Sequence, residues 1–217
     1  MTTVILGPSG TGKSVFAKLC IGLLRPDSGA VFLNDVELSA LSERELYKVR
    51  EKVGMCFQDG ALFDSLSVGE NVAFPIRRHL ALPETEIRRI VREKLDRVGL
   101  PDAAPLMPAE LSGGMRKRVG IARAIALDPE LVIFDEPTSG LDPVMADAID
   151  QLILEMRGGG RTFLVISHDL ESTVRIADRV GMLHEGRMLA MGHRREILAS
   201  REPVIRQFFS RLDKATR

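Results

Sequence analysis

The chain has 217 residues, 45% apolar and 28% charged, a balance that suits one well-buried globular domain and excludes wholesale disorder. Lys+Arg and Asp+Glu both number 30, so no global basic field points to nucleic acid. No apolar run approaches the roughly 18–20 residues of a membrane span, and Cys20 and Cys56 lack metal-ligand spacing, as expected in a reducing cytoplasm.

Short apolar runs alternate with helical patterns along the chain, which predicts an α/β fold with a mostly parallel sheet. Val4–Leu6 reads as the first strand. It runs at once into Gly7-Pro8-Ser9-Gly10-Thr11-Gly12-Lys13-Ser14, which fits G-x-x-x-x-G-K-[ST] and opens the helical pattern Val15–Leu24. Gly7, Gly10 and Gly12 allow the backbone to curl so that N–H groups face phosphate oxygens, and the helix N-terminus adds its partial positive charge. Lys13 would bridge the β- and γ-phosphates, and the Ser14 hydroxyl would be a ligand of Mg²⁺. The competing reading is a Gly-rich turn that merely caps a helix.

Ala30–Leu33 and Val53–Phe57 are the next predicted strands. From about Ser65 to Leu127 the alternation stops and the pattern is helical. Pro83–Val98 places Ile87, Ile90, Val91, Leu95 and Val98 on one face, with Glu84–Arg88 and Glu93–Arg97 as i,i+4 ion pairs on the other. After the proline-rich stretch Pro101–Pro108, Leu111-Ser112-Gly113-Gly114-Met115 opens a helix through Leu127. Ser112 is a natural N-cap, but two glycines in a first helical turn cost roughly 1 kcal/mol each, so capping explains them poorly. A cluster of N–H groups at a helix N-terminus is a second phosphate-binding device. Two such devices, one without a Lys, point to a nucleotide sandwiched between two copies of the protein.

Leu131–Phe134 is a buried strand that ends in Asp135-Glu136, and strand ends of this kind face the ligand edge of an open α/β sheet. Asp135 would reach the Mg²⁺ shell, and Glu136 would orient or deprotonate the attacking water; the alternative is a pair of helix-capping acids. Strand Thr162–Ser167 precedes His168. Val180–Leu183 and Arg187–Ala190 flank the turn His184-Glu185-Gly186, so an antiparallel edge is expected there. From Arg187 onward eight Lys/Arg face three Asp/Glu, giving a tail of +5 and a remainder of −5. A solvated helical tail and a partner- or membrane-facing surface both fit.

These motifs, in this order, resemble the ATP-binding subunits of ABC transporters, from Met1 to about Met191. Gly7–Ser14 looks like that family's Walker A loop and Gln58 like its Q-loop glutamine. Leu111–Met115 is similar to the signature motif, Leu131–Glu136 to Walker B, Ser139–Asp142 to the D-loop and His168 to the switch histidine. The resemblance implies catalytic roles for Glu136, His168 and Gln58, metal contacts from Ser14, Gln58 and Asp135, and nucleotide contacts from Ser112, Gly113, Gly114, Met115 and Asp142. It also implies a P-loop NTPase core over 1–64 and 128–190, a helical subdomain over 65–127 and a basic tail over 191–217. ATP and Mg²⁺ would be bound by a head-to-tail homodimer coupled to a membrane permease on the cytoplasmic face of the membrane, with a lipid-binding protein as a possible third component.

Two departures carry information. Met115 stands where the family usually has Gln. LSGGM, together with the run Phe57–Pro75, looks most like the ATPases of Mla/Mce-type transporters, which move phospholipids or related lipids, some of them linked to organic-solvent tolerance. Family members also carry strands ahead of the phosphate loop, with an aromatic residue that stacks on adenine, whereas Gly7 here lies six residues from Met1. The expectation is that a longer functional protein contains this chain. Competing functions are a soluble ABC ATPase acting on DNA or ribosomes, a P-loop small-molecule kinase, and a non-catalytic truncated copy. The first usually carries long inserts or paired ATPase units, the second leaves Leu111–Met115 and His168 unexplained, and intact Lys13, Asp135, Glu136 and His168 argue against the third.

Overall fold

The computed structural model describes residues 1–158 and 160–210. Its strands are β1 (Thr2–Leu6), β2 (Phe32–Leu33), β3 (Val36–Glu37), β4 (Val53–Cys56), β5 (Leu131–Asp135), β6 (Thr162–Ser167), β7 (Arg179–His184) and β8 (Arg187–His193). Helices α1 (Lys13–Cys20) and α2 (Glu43–Arg50) precede β4. A helical run of α3 (Val68–His79), α4 (Glu84–Arg97) and α5 (Gly113–Ala124) separates β4 from β5. The remaining helices are α6 (Pro143–Glu155), α7 (Leu170–Ile176), α8 (Arg194–Leu198) and α9 (Pro203–Phe209).

Six strands form one sheet in the order β4-β5-β6-β1-β7-β8, parallel except for the antiparallel β7–β8 pair. β1, β5 and β6 are covered on both faces, which is why they read as apolar runs instead of alternating ones. Alternate residues serve two cores. Val4, Leu6, Val132, Phe134, Phe163 and Val165 join the larger one, which draws on α3 to α9. Ile5, Ile133 and Ile166 join a smaller one with Ala17 and Ile21. In the larger core Phe134 and Phe163 meet edge-on, with centroids 5.8 Å apart. The register sets Leu6 beside Ser167 and Asp135 beside Ile166, so the C-terminal ends of β1, β5 and β6 share one edge of the sheet.

Several local expectations are corrected. α1 ends at Cys20, short of Leu24, because the chain turns at Gly22 with φ +65. β2 is only Phe32–Leu33, and its partner β3, absent from the sequence reading, follows a tight turn in which Asn34 and Asp35 both have positive φ. Glu84–Arg88 forms at 3.5 Å, but Glu93 pairs with Arg89 at 3.6 Å and Lys94 at 3.5 Å instead of Arg97. Lys94 is drawn inward: it is 1% exposed and donates to Asp128 at 2.7 Å, which also accepts from Arg161 at 2.5 Å.

β8 runs on to His193. The basic tail, as far as 210, is folded onto the domain, since Ile197, Ile205 and Phe209 are buried in the larger core. Residues 211–217 of that tail lie outside the described residues.

Candidate functional site

β1 delivers the chain to Gly7, where a Cβ would stand 2.2 Å from the Leu183 carbonyl oxygen, so only glycine fits against β7. Gly10 and Gly12 take φ of +80° and +95°, and Thr11 Oγ1 donates to the Pro8 carbonyl at 2.9 Å. α1 has neither a side-chain cap nor an acid in its first turn. Its leading N–H groups are therefore available to an anion. Lys13 is buried across this loop, donating to the carbonyls of Gly7 at 2.8 Å and Pro8 at 3.0 Å.

The acids at the end of β5 meet this loop. Ser14 Oγ donates to Asp135 Oδ1 at 3.1 Å, so a hydroxyl and a carboxylate, both hard oxygen donors, converge. Among the described residues no three His, Cys, Asp or Glu side chains gather on one point. A divalent cation held here would need further oxygens from a phosphate ligand and water.

Glu136 bends away from the strand with φ +53, a conformation that costs a non-glycine residue about 1 kcal/mol or more. Its N–H is held by the Ile166 carbonyl at 2.9 Å. Its carboxylate lies 2.7 Å from His168 Nδ1 and 3.7 Å from Lys13 Nζ. A cation, a carboxylate and an imidazole, delivered by three neighbouring strand ends, thus meet at one point.

The other expected residues stand around this centre. Gln58 Nε2 makes a long contact of 3.5 Å with Ser139 Oγ, on the turn that follows Glu136. Among the described residues no hydrogen bond ties Gln58 to Ser14 or Asp135. Asp142 caps α6, accepting from the Val144 and Met145 N–H groups at 3.0 and 3.1 Å. Ser112 caps α5, accepting from Met115 N–H at 3.3 Å, and Gly113 and Gly114 form the first turn. Among the described residues no hydrogen bond or ion pair joins Ser112–Met115 to Gly7–Ser14 within the chain.

Three residues that sequence reasoning missed hold this frame. Buried Asn71 clamps the segment after Gln58: its Oδ1 accepts from Phe63 N–H at 2.8 Å, and its Nδ2 reaches the carbonyls of Phe63, Leu66 and Ser67 at 3.0–3.1 Å. Asp150 of α6 is 1% exposed, accepts from Ser172 Oγ at 2.5 Å and pairs with Arg175 at 3.3 Å; Arg175 also contacts Asp147. Burial pushes the Asp150 carboxyl up to about 6, against the Ser172 hydrogen bond and the Arg175 charge, which pull it down. The third is Lys117 of α5, whose Nζ donates to the carbonyls of Ser139 at 2.6 Å and Glu136 at 3.2 Å. Asn71 carried a weak signal, since a mid-helix Asn is unfavourable without a local partner; Asp150 and Lys117 read as ordinary surface charges.

A strand, a positive-φ glycine loop, a buried lysine and a helix, beside a strand ending in Asp-Glu, define a P-loop nucleotide-binding fold. The family described as ABC transporter matches residues 1–139, and the chain belongs to it. It is 46% identical over 209 residues to the probable ribonucleotide transport ATP-binding protein mkl of Mycobacterium leprae, covering 96% of this chain and 60% of that protein. It is 47% identical over 207 residues to the intermembrane phospholipid transport system ATP-binding protein MlaF of Haemophilus influenzae, covering 95% of this chain and 78% of that one. Among solved structures, the dimeric post-hydrolysis state of the ATP-binding cassette MJ0796 bound to ADP and Pi superposes with a TM-score of 0.82 at 32% identity. That match covers 88% of this chain and 84% of the other. CbiO1 of Clostridium perfringens, part of the ABC transporter complex cbiONQ, also gives 0.82, at 35% identity over 99% of this chain and 85% of its own.

Proposed function

We propose that this chain binds and hydrolyses ATP to power a membrane transporter of phospholipids or related lipids. The observation that carries the ATPase reading is the meeting of Lys13, Glu136 and His168 beside the Ser14–Asp135 pair. The lipid reading rests on the likeness to MlaF.

In this reading the N–H groups of the loop and of α1, with the Lys13 ammonium, hold the β- and γ-phosphates, so Lys13 exchanges two carbonyl partners for phosphate oxygens. Ser14 and Asp135, the latter through water, would hold Mg²⁺, which supplies charge neutralisation between the phosphates, and Gln58 would approach it from the Ser139 side. Glu136 takes a proton from water as that oxygen bonds to the γ-phosphorus and the bond to the β-bridging oxygen breaks, releasing ADP and phosphate. His168, hydrogen-bonded to Glu136, holds the carboxylate in line and faces the γ-phosphate.

Ser112–Met115 would close over the nucleotide of a second copy, with Asp142 beside it. Support comes from the exposure of Ser112 and Gly113, which among the described residues make no hydrogen bond to Gly7–Ser14, and from Val144, two residues after Asp142, which is 76% exposed although apolar. The region 65–127 serves as the helical subdomain against a core of 1–64 and 128–190. Where the two meet, a groove of about 310 Å³ is lined by Phe57, Phe63, Phe74, Pro75 and His79, apolar enough to seat a short helix of a membrane permease. Among the described residues no helix is long and apolar enough to cross a membrane. The proposed place of the chain, which rests on the likeness to MlaF, is the cytoplasmic face of the inner membrane, on that permease, with a lipid-binding protein delivering or receiving cargo.

The test is phosphate release from Mg-ATP by the purified protein. Glu136→Gln should retain ATP binding and slow turnover by about 100-fold or more; near-normal turnover would overturn the assigned base. In the co-purified permease complex, phospholipid vesicles should stimulate turnover. Stimulation by ribonucleotides instead would move the cargo away from lipids.

A further inference from the structure

Lys117 is 6% exposed, and its ammonium is satisfied by main-chain carbonyls, those of Ser139 at 2.6 Å and Glu136 at 3.2 Å. A buried ammonium is costly, and burial lowers its pKa against the nearby negative charge of Asp59 and Glu136. The two carbonyls are the first and last of the turn that begins at Glu136. Among the described residues its closing main-chain hydrogen bond is Ser139 N–H donating to the Glu136 carbonyl at 3.2 Å. Lys117 therefore fastens both ends of the turn that opens with Glu136 at positive φ.

The lysine belongs to α5, whose first turn is the Gly113-Gly114 run capped by Ser112. The same helix touches α6 at the flexible end of Met145. A Cβ on Gly114 would stand 2.3 Å from Met145 Cε, and α6 is capped by Asp142. One helix thus touches the carboxylate-bearing turn through Lys117 and the Asp142 helix through Gly114.

We propose that Lys117 is a positioning residue that couples the two nucleotide sites of the dimer, holding Glu136 in register with the helix end formed by Ser112–Met115. This rests on the ATPase reading above. When Ser112–Met115 engages nucleotide bound to the second copy, α5 is fixed, and through Lys117 so is the turn that aims Glu136 at the first copy's own nucleotide. Without the ammonium the turn keeps its Ser139–Glu136 hydrogen bond and Glu136 keeps Ile166 and His168, but the tie to α5 is lost, so Glu136 no longer follows the position of that helix.

The experiment compares steady-state ATP hydrolysis of wild type, Lys117→Met, Lys117→Arg and Glu136→Gln. Lys117→Met should lower kcat by about tenfold and bring the Hill coefficient for ATP toward one. KM should stay within about twofold, because the Gly7–Ser14 loop is untouched. Lys117→Arg, which can still donate to both carbonyls, should recover most of kcat and the cooperativity. If Lys117→Met does not fold, Lys117→Gln, which keeps an amide donor on a shorter arm, gives the same kcat-against-KM comparison. Wild-type kcat in the donor-less variant, or parallel loss of kcat and ATP affinity with no rescue by Arg, overturns the coupling role. Full turnover by Glu136→Gln would instead remove Glu136 as the base, and no phosphate release by the wild type would defeat the ATPase reading itself, so these failures are distinct.

Discussion

Asn71→Ala should unfold more easily by about 3 kcal/mol, a figure that follows from counting the groups it strands. The Asn71 amide serves four main-chain groups, but two keep other partners. The Phe63 carbonyl still accepts from Leu66 N–H at 3.1 Å, and the Ser67 carbonyl from Asn71 N–H at 2.8 Å. The Phe63 N–H and the Leu66 carbonyl lose theirs. Each stranded group costs about 1–2 kcal/mol, and the vacated amide volume adds a little, while water reaching the half-exposed Phe63 side takes some away. For a chain of this size the loss corresponds to a Tm lower by roughly 6–12 °C. Asn71→Asp keeps the acceptor for Phe63 N–H yet sets a carboxylate against the Leu66 carbonyl, so it should be at least as damaging. Urea unfolding followed by circular dichroism measures both variants, and a loss under about 1 kcal/mol for Asn71→Ala would refute the clamp.

Lys13→Ala should weaken ATP binding by about 10- to 100-fold in equilibrium titration, since the proposed phosphate site loses the buried ammonium that lies across the Gly7–Ser14 loop; unchanged affinity would remove Lys13 from the site. Asp150 gives a pH dependence of stability. Its proton is held more tightly in the folded state, so that stabilisation is complete below about pH 4 and is lost as pH rises through about 6. The Tm of wild type relative to Asp150→Asn should therefore fall between about pH 4 and about pH 7, and parallel curves would contradict the shift. Burial pushes the thiols of Cys56 and Cys20 up to about 12 and about 11. Neither should be alkylated by iodoacetamide near pH 8 in the folded protein, and rapid labelling of Cys56 would show that its core opens.

Much of the site was legible because its chemistry depends on short runs of fixed residue type. Gly7–Ser14 announces itself through glycines that only a tight positive-φ loop requires, and Asp135-Glu136 through acids ending an apolar strand. The large sheet was legible for the same reason, since β1, β5 and β6 are buried on both faces and carry no polar alternation. β3 was missed because a two-residue strand has no period, and the turn before it uses Asn34 and Asp35 with no glycine to mark it. Glu93 pairs one turn back, with Arg89, and with its neighbour Lys94 instead of with Arg97, because helical spacing offers it a basic residue on either side and cannot choose between them. Lys117 and Asp150 were invisible because a charged residue on a helix reads as solvent-facing until its neighbours in space are known. Their partners lie far along the chain, in the turn after β5 and in α7.

The central claim is that ATP closes two copies of this chain over shared nucleotides and that Glu136 then hydrolyses them. Light scattering of Glu136→Gln with and without Mg-ATP tests it most directly. The account predicts a monomer without nucleotide and an ATP-dependent dimer that Lys13→Ala, introduced into the same variant, abolishes. A monomer under all conditions, with ATP demonstrably bound, would contradict it.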